Sequence, residues 1–416
     1  MGRPDEMKLI AFILSIVCSL TAAGKTLHVG KNDAFHSIQE AVNAAKRYDT
    51  ILVDGGTYHE KNLVINKPLV LIGINYPVLD GDKKYEVISI KAGNTVIQGF
   101  KVIRSGNSEM EDMAGIKIIN SYNVIIRNNI LDDNCFGIYS QYGVNCIIEN
   151  NKITSYGTHE LQSGNGIHCW KSDSMRIIAN TITGHRDGIY FEFVNNSVIW
   201  RNTSEKNIRY GLHFMFSNND AYICNVFKAN ISGVAVMFSK NIKMYNNYFQ
   251  ENWGDAAYGI LLKEISDGII EGNHFVKNTI GIFIEGGSRI EMHKNVFENN
   301  GWGMKIQASC MDIAVNNNNF LNNTFDIGTN GSLMLNNFDG NYWDKYEGYD
   351  INKDHIGDIP YRPVSMYSMI IEKNPPAMIL FRSFITSLLD KTEKVLPVLT
   401  PENLKDNYPL MKKIRL

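Results

Sequence analysis

Apolar and small residues recur along this chain with a regular long period. A glycine followed by an apolar residue stands at Gly115-Ile116, Gly137-Ile138, Gly166-Ile167, Gly188-Ile189, Gly211-Leu212, Gly233-Val234, Gly259-Ile260, Gly281-Ile282 and Gly303-Met304, at intervals of 22, 29, 22, 23, 22, 26, 22 and 22. Fourteen residues after each glycine stands an asparagine: Asn129, Asn151, Asn180, Asn202, Asn225, Asn247, Asn273, Asn295 and Asn317. A repeat of this length, rich in β-branched and aromatic residues, predicts an all-β, right-handed parallel β-helix with coils of about 22 residues. Each strand would pair with its counterpart one coil on, about 4.8 Å away. The asparagines are expected at the turns, stacked as a ladder that satisfies backbone groups at each corner. The two longest intervals place loops near residues 158–163 and 253–257.

Side chains alternate along a strand. The first and third residues after each glycine are apolar or small, as at Ile118, Cys169, Phe191 and Phe214, and read as core. The second and fourth then face outward. The second positions give Lys117, Tyr139, His168, Tyr190, His213, Ala235, Leu261, Phe283 and Lys305. The fourth give Ile119, Gln141, Trp170, Glu192, Met215, Met237, Lys263, Glu285 and Gln307. His213 and Met215 thus share an outward face, about 7 Å apart along the strand, with Met237 beside Met215 on the next coil. His168, Trp170, Tyr190 and Glu192 border them on the preceding coils. An imidazole with two thioethers suits a soft monovalent ion, Cu(I) first. The competing reading is an apolar patch of Met215, Met237, Leu261 and Phe283 covered by a loop or a partner.

The ends differ from the repeat. Arg3 and Lys8 flank an apolar run over residues 9–20, and Thr21-Ala22-Ala23 offers small residues for cleavage, so 1–23 reads as a signal peptide. Residues 24–49 read as a strand and an amphipathic helix, with Ile38, Val42 and Ala45 on one face, that caps the open end of a solenoid spanning 50–337. Residues 338–363 carry Asp350-x-Asn352-x-Asp354 followed by Gly357-Asp358, an alternation of oxygen ligands that suits calcium or else a solvated acidic turn. Over 364–416, Pro375-Pro376 opens an amphipathic helix whose apolar face includes Met378, Leu380, Phe381, Phe384 and Leu388. Interrupted by Arg382 and Asp390, it suits a membrane surface, a partner's groove or the open end of the solenoid better than a membrane span. The last residues read as an extended tail.

A net charge of −2 gives a nucleic-acid partner no electrostatic support. Five cysteines outside the signal segment, with no CxxC spacing, read as buried free thiols rather than a disulfide frame or zinc cluster.

Together the NN-bearing repeat, RYGLHFMFSNND (209–220), NYWDKYEGYDINKDHIGDIPYRP (341–363) and MIIEKNPPAMILFRSF through to YPLMKK resemble the NosD family over essentially the whole mature chain. The resemblance implies a periplasmic, non-enzymatic accessory protein. It would sit on an ABC transporter permease and ATPase through its C-terminal helices, at the inner membrane. It would receive copper from a membrane-anchored chaperone and help to build the copper–sulfur centre of nitrous-oxide reductase. Assigning Cu(I) to His213, Met215 and Met237 is our own reading of the residues.

Two rivals remain at this level. A sugar lyase, hydrolase or epimerase on the same fold would need clustered carboxylates; the outward rows offer only Glu192 and Glu285, about 19 Å apart at the strand spacing, and His185-Arg186-Asp187 reads as a charged turn. A structural adhesin would need neither metal nor C-terminal helix.

Overall fold

The computed structural model describes residues 24–108, 111–331, 335–381, 383–395 and 404–415. The segment read as a signal peptide lies outside them. The chain winds as a parallel β-helix whose coils contribute strands to three long sheets of 14, 12 and 13 strands. The first sheet runs from Thr26–Val29 to Leu335–Asn337 and the third from Thr57–Tyr58 to Tyr342–Trp343. The second, called here the glycine sheet, runs from Leu63–Ile65 to Phe325–Gly328. Strands pair in parallel at the repeat's own register, as in Ile189 with Leu212, Leu212 with Val234 and Val234 with Ile260. The solenoid therefore runs a few residues past Asn337, to Trp343.

The interior is a set of stacked columns. Phe227, Phe249, Phe275, Phe297, Phe320 and Trp343 lie one above another with ring centroids 5.5, 4.8, 4.8, 4.7 and 4.2 Å apart. All are buried. The spacing follows from the coil rise, because equivalent residues of successive coils must sit one strand separation apart.

Two asparagine ladders close the corners. In the first, each buried asparagine accepts the backbone N–H of its predecessor and donates its amide to the next asparagine and to a backbone carbonyl. Asn225 is typical: its Oδ1 takes the Asn202 N–H at 2.8 Å, and its Nδ2 donates to Ile199 O at 2.9 Å and Asn247 Oδ1 at 3.0 Å. The ladder passes from Asn295 to Asn318 and then to Asn341, so Asn318 and not Asn317 is the member in that coil. Asn317 takes the adjacent left-handed corner, at φ 53°. The counting rule slips because the span from Asn295 to Asn318 is one residue longer than a 22-residue coil. The second ladder, Asn207, Asn230, Asn252, Asn278, Asn300 and Asn323, is as regular and begins beside His185, whose N–H donates to Asn207 Oδ1.

The ends are closed by the chain itself. Helix α1 (Ile38–Ala44) is capped by Ser37, which accepts the Glu40 N–H, and it buries Ile38, Ala41 and Val42 against the first coils. At the far end the terminal segment does not trail away. Asp406 accepts the N–H groups of Gly340 and Asn341 and the Trp343 indole N–H, each at 2.8 Å, and so supplies the acceptor that the ladder's last asparagine lacks. Ile414 exchanges two hydrogen bonds with Asn319.

Helix α2 (Met366–Lys373) lies on the outer face of the glycine sheet rather than over its open end. Its Tyr367 and Ile371 join Ile280, Trp302 and Phe325, with Phe283 packed against them, and Lys305 pairs with Glu372 at 2.5 Å. Helix α3 (Phe384–Val395) puts Leu389 against this cluster, but Phe384 is 81% exposed, and Met378, Leu380, Phe381 and Leu388 are also exposed. Pro376 is exposed as well. Among the described residues no helix is long and apolar enough to cross a membrane.

Candidate functional site

The repeat glycines do more than mark the period. A Cβ on Gly188 would stand 2.6 Å from the Gly211 carbonyl oxygen, and one on Gly211 2.6 Å from that of Gly233, so successive coils touch backbone to backbone there. The alternation slips at this kink. The residue before each glycine faces outward beside the second residue after it: Phe136 stacks on Tyr139 at 5.6 Å, and Tyr210 lies 5.0 Å from His213. The outer face therefore carries a row that alternation alone assigns to the core, and Asn165 and Asp187 belong to it.

On that face the second-position row becomes a continuous ring stack. Tyr139 and His168 centroids lie 4.5 Å apart, His168 and Tyr190 4.8 Å, and Tyr190 and His213 4.6 Å. The rings cover one another, so His168 and His213 are only 7% and 6% exposed. The expectation that they are displayed on the surface is corrected: they point away from the interior yet are shielded by their neighbours. Burial pushes the His168 imidazole's pKa down and the Tyr139 phenol's up to about 12. Glu192, whose Oε2 lies 3.9 Å from His168 Nε2, is held below the usual carboxylate range by that histidine.

Met215 and Met237 are direct register partners on adjacent strands, with Glu192 paired to Met215 on the other side. Both methionines are half-buried. The Tyr190 hydroxyl reaches Met215 Sδ at 3.6 Å. Leu261 and Phe283 continue the outward rows, but Phe283 is packed under the C-terminal helices while the methionine pair stays clear of that cluster. The apolar patch is thus divided. Trp170 stands at the near edge, with Lys171 over its ring at 4.6 Å.

Sequence reasoning missed the anchor of the site. Asp187, fully buried, takes two hydrogen bonds from Arg209, Nε to Oδ1 at 2.9 Å and Nη2 to Oδ2 at 2.6 Å, and its Oδ2 lies 3.4 Å from His213 Nδ1. Burial pushes the Asp187 carboxyl up, but Arg209 and His213 more than offset this and hold it at about 2. His185-Arg186-Asp187 is therefore no solvated charged turn. The signal was present in sequence as polar residues directly before Gly166 and Gly188, where Phe136 and Tyr210 are aromatic. Neither ring nitrogen of His213 completes a hydrogen bond, and the Asn165 amide is buried without a partner.

His185 is fully buried, and burial pushes its pKa down to about 4. In the unfolded chain it titrates near 6.5. Between those values the unfolded state binds a proton that the folded state refuses, so this contribution to stability is complete above pH 6.5 and is lost as pH falls toward 4. Replacing His185 with Asn, the residue used by the rest of that ladder, is expected to remove the loss. The stability gap between variant and wild type should widen by up to about 3 kcal/mol from pH 7 to pH 4, as read from urea midpoints. An unchanged gap would mean that His185 is protonated or solvated in the folded protein.

The remaining ligand sets look different. In the 350–358 loop, Asp350 accepts N–H groups from Lys353, Asp354 and His355, Asp354 accepts that of Ile356, and Asp358 that of Ile351. Asn352 donates to Asp354 at 3.0 Å. These groups are engaged in closing the loop on itself. Among the described residues, His59, Asp80 and Asp82 alone form a His/Cys/Asp/Glu group with ligand atoms within 4.8 Å of one another, and Arg104 already grips both oxygens of Asp80. All five described cysteines are free; Cys146, Cys169 and Cys310 are buried and Cys135 partly so, but Cys224 is exposed, against expectation.

These features define a parallel β-helix protein that carries a ring stack and a methionine pair on one outer sheet face, with self-closed ends and a C-terminal helical appendage. Residues 150–348 match the family described as periplasmic copper-binding protein (NosD). Two proteins named probable ABC transporter binding protein NosD are similar over most of their length. That of Pseudomonas aeruginosa is 26% identical over 374 residues, 84% of this chain and 86% of its own. That of Stutzerimonas stutzeri is 26% identical over 375 residues, 85% of each chain. Over these spans the chain is similar to the NosD family. Among solved structures, the fold resembles a GH87 α-1,3-glucanase catalytic unit from Streptomyces thermodiastaticus (TM-score 0.58, 12% identity, 78% of this chain and 72% of that one). It also resembles the adhesin PfbA of Streptococcus pneumoniae (TM-score 0.56, 14% identity, 74% of this chain and 93% of that one). At such identities the likeness concerns the fold alone.

Proposed function

We propose that this chain is a periplasmic accessory protein, not an enzyme, that receives Cu(I) on the outer face of the glycine sheet, with His213, Met215 and Met237 as ligands. Docked on an ABC transporter permease and its ATPase, it takes the ion from a membrane-anchored chaperone and serves assembly of the copper–sulfur centre of nitrous-oxide reductase. The observation that carries the reading is the in-register pair Met215 and Met237 beside an imidazole with no hydrogen-bond partner. Thioether and imidazole donors select a soft ion. The family's description as copper-binding and periplasmic, and the relatives' name as ABC transporter binding proteins, agree with it. The exposed apolar side chains Met378, Leu380, Phe381, Phe384 and Leu388, with Pro376, are the docking surface, and they bring the chain to the inner membrane through the permease. Calcium has no part in this reading.

A sugar-acting reading is disfavoured by the ring stack. His168 and Tyr190 each have both ring faces taken by stacked neighbours, which closes them to a pyranose. The test is an anaerobic Cu(I) titration of the mature protein against a competing chelator. Wild type is expected to bind about one equivalent, and His213→Ala and Met215→Leu/Met237→Leu to bind at least roughly 100-fold more weakly. Equal binding by all three would overturn the ligand assignment, and no binding by wild type would overturn the copper reading of this face.

A further inference from the structure

We propose that Asp187, clamped by Arg209, is a positioning residue for His213: its carboxylate takes the Nδ1 proton in a hydrogen bond and so presents Nε2 as the free donor on the outer face. The inference rests on the copper reading for its purpose, but its geometry stands apart from it. Asp187 and Arg209 precede the kink glycines of neighbouring coils, Gly188 and Gly211, by one and two residues. The kink turns Asp187 to the outer face at the foot of the ring stack. Two hydrogen bonds from Arg209 fix both oxygens of the carboxylate, and Arg209 is itself held by Tyr210, over whose ring it sits at 4.9 Å, and by Glu160 at 3.8 Å from the inserted loop. A carboxylate so held has little freedom to turn away.

His213 is fixed in the plane perpendicular to that contact. Tyr190 stacks on one face of the ring at 4.6 Å and 15°, and Tyr210 crowds it at 5.0 Å, so the ring is restrained from tipping out of its plane. Its Nδ1 is 3.4 Å from Asp187 Oδ2, a contact that a small in-plane shift closes to a hydrogen bond. A neutral imidazole that donates from Nδ1 to a fixed carboxylate carries its lone pair on Nε2, and this arrangement sets the tautomer of metal-binding histidines generally. The pair also explains why a charged aspartate is buried in a position that Phe136 and Tyr210 fill with aromatic rings in other coils.

The tautomer can be read without copper. In metal-free protein labelled with 15N-histidine, long-range proton–nitrogen correlation is expected to show His213 protonated at Nδ1 and bare at Nε2. In Asp187→Asn, whose amide can accept or donate, the tautomers should mix, and Cu(I) affinity should fall about 10- to 100-fold. Because that substitution leaves Arg209 without its counter-ion, Asp187→Asn/Arg209→Gln is the second variant, with folding checked by circular dichroism. An Nε2-protonated His213 in wild type, or an unaltered tautomer and affinity in both folded variants, would overturn the proposal. If wild type shows the Nδ1 tautomer and the variants lose it while no protein binds Cu(I), the positioning role stands and the copper reading falls.

Discussion

Asn225→Ala is expected to destabilise the solenoid by roughly 3–5 kcal/mol, out of proportion to the few atoms removed. The substitution strands the Asn202 N–H and the Ile199 carbonyl in a corner with no route to water, and it breaks the side-chain contact to Asn247. Each buried orphan costs about 1–3 kcal/mol, because the group loses its bond with water on folding and gains nothing in return. Asn246 is the control. It directly precedes Asn247, the next member of the ladder, but it is exposed and holds the left-handed corner at φ 54°. Asn246→Gly keeps that conformation and is expected to change stability by less than about 1 kcal/mol. Urea midpoints measure both. Because each coil leans only on its neighbours, limited proteolysis of the Asn225 variant should also open the chain first at that coil. Equal small effects from the two substitutions would mean that the ladder is incidental to stability.

Phe275→Ala should cost a similar amount, about 3–5 kcal/mol, by another route. Phe275 is fully buried between Phe249 and Phe297, both 4.8 Å away centroid to centroid. Backbone pairing on all three sheets holds the coil spacing fixed, so the space left by a missing ring cannot collapse, and the penalty falls at the high end of the cavity scale. Phe275→Leu, which keeps much of the volume, should cost about 1–2 kcal/mol. A Phe275→Ala loss no larger than that of Phe275→Leu would show that neighbouring coils can relax into the gap. The same urea experiment decides it.

The sequence by itself determined the period, the identity of the fold and most of the interior. In a parallel β-helix, residues one coil apart in sequence are neighbours in space, so a one-dimensional repeat is a contact map: the columns through Phe275 and the ladder through Asn225 follow from counting. It also brought Met215 beside Met237 and His213 beside Tyr190, because those pairs are one register step apart. Counting failed where the backbone leaves the ideal repeat. A longer coil moved the ladder from Asn317 to Asn318, and the kink at each glycine reversed the facing of the residue before it. Only the tertiary structure, for that reason, set Asp187 and Arg209 at the foot of His213 and hid His168 and His213 in a ring stack. It alone closed the end of the solenoid, through Asp406 on Asn341 and Trp343, more than 60 residues away in sequence. It also laid α2 on the outer face of the glycine sheet. No period links those residues; they meet because the last coil has an unsatisfied edge and the outer sheet has an uncovered apolar row.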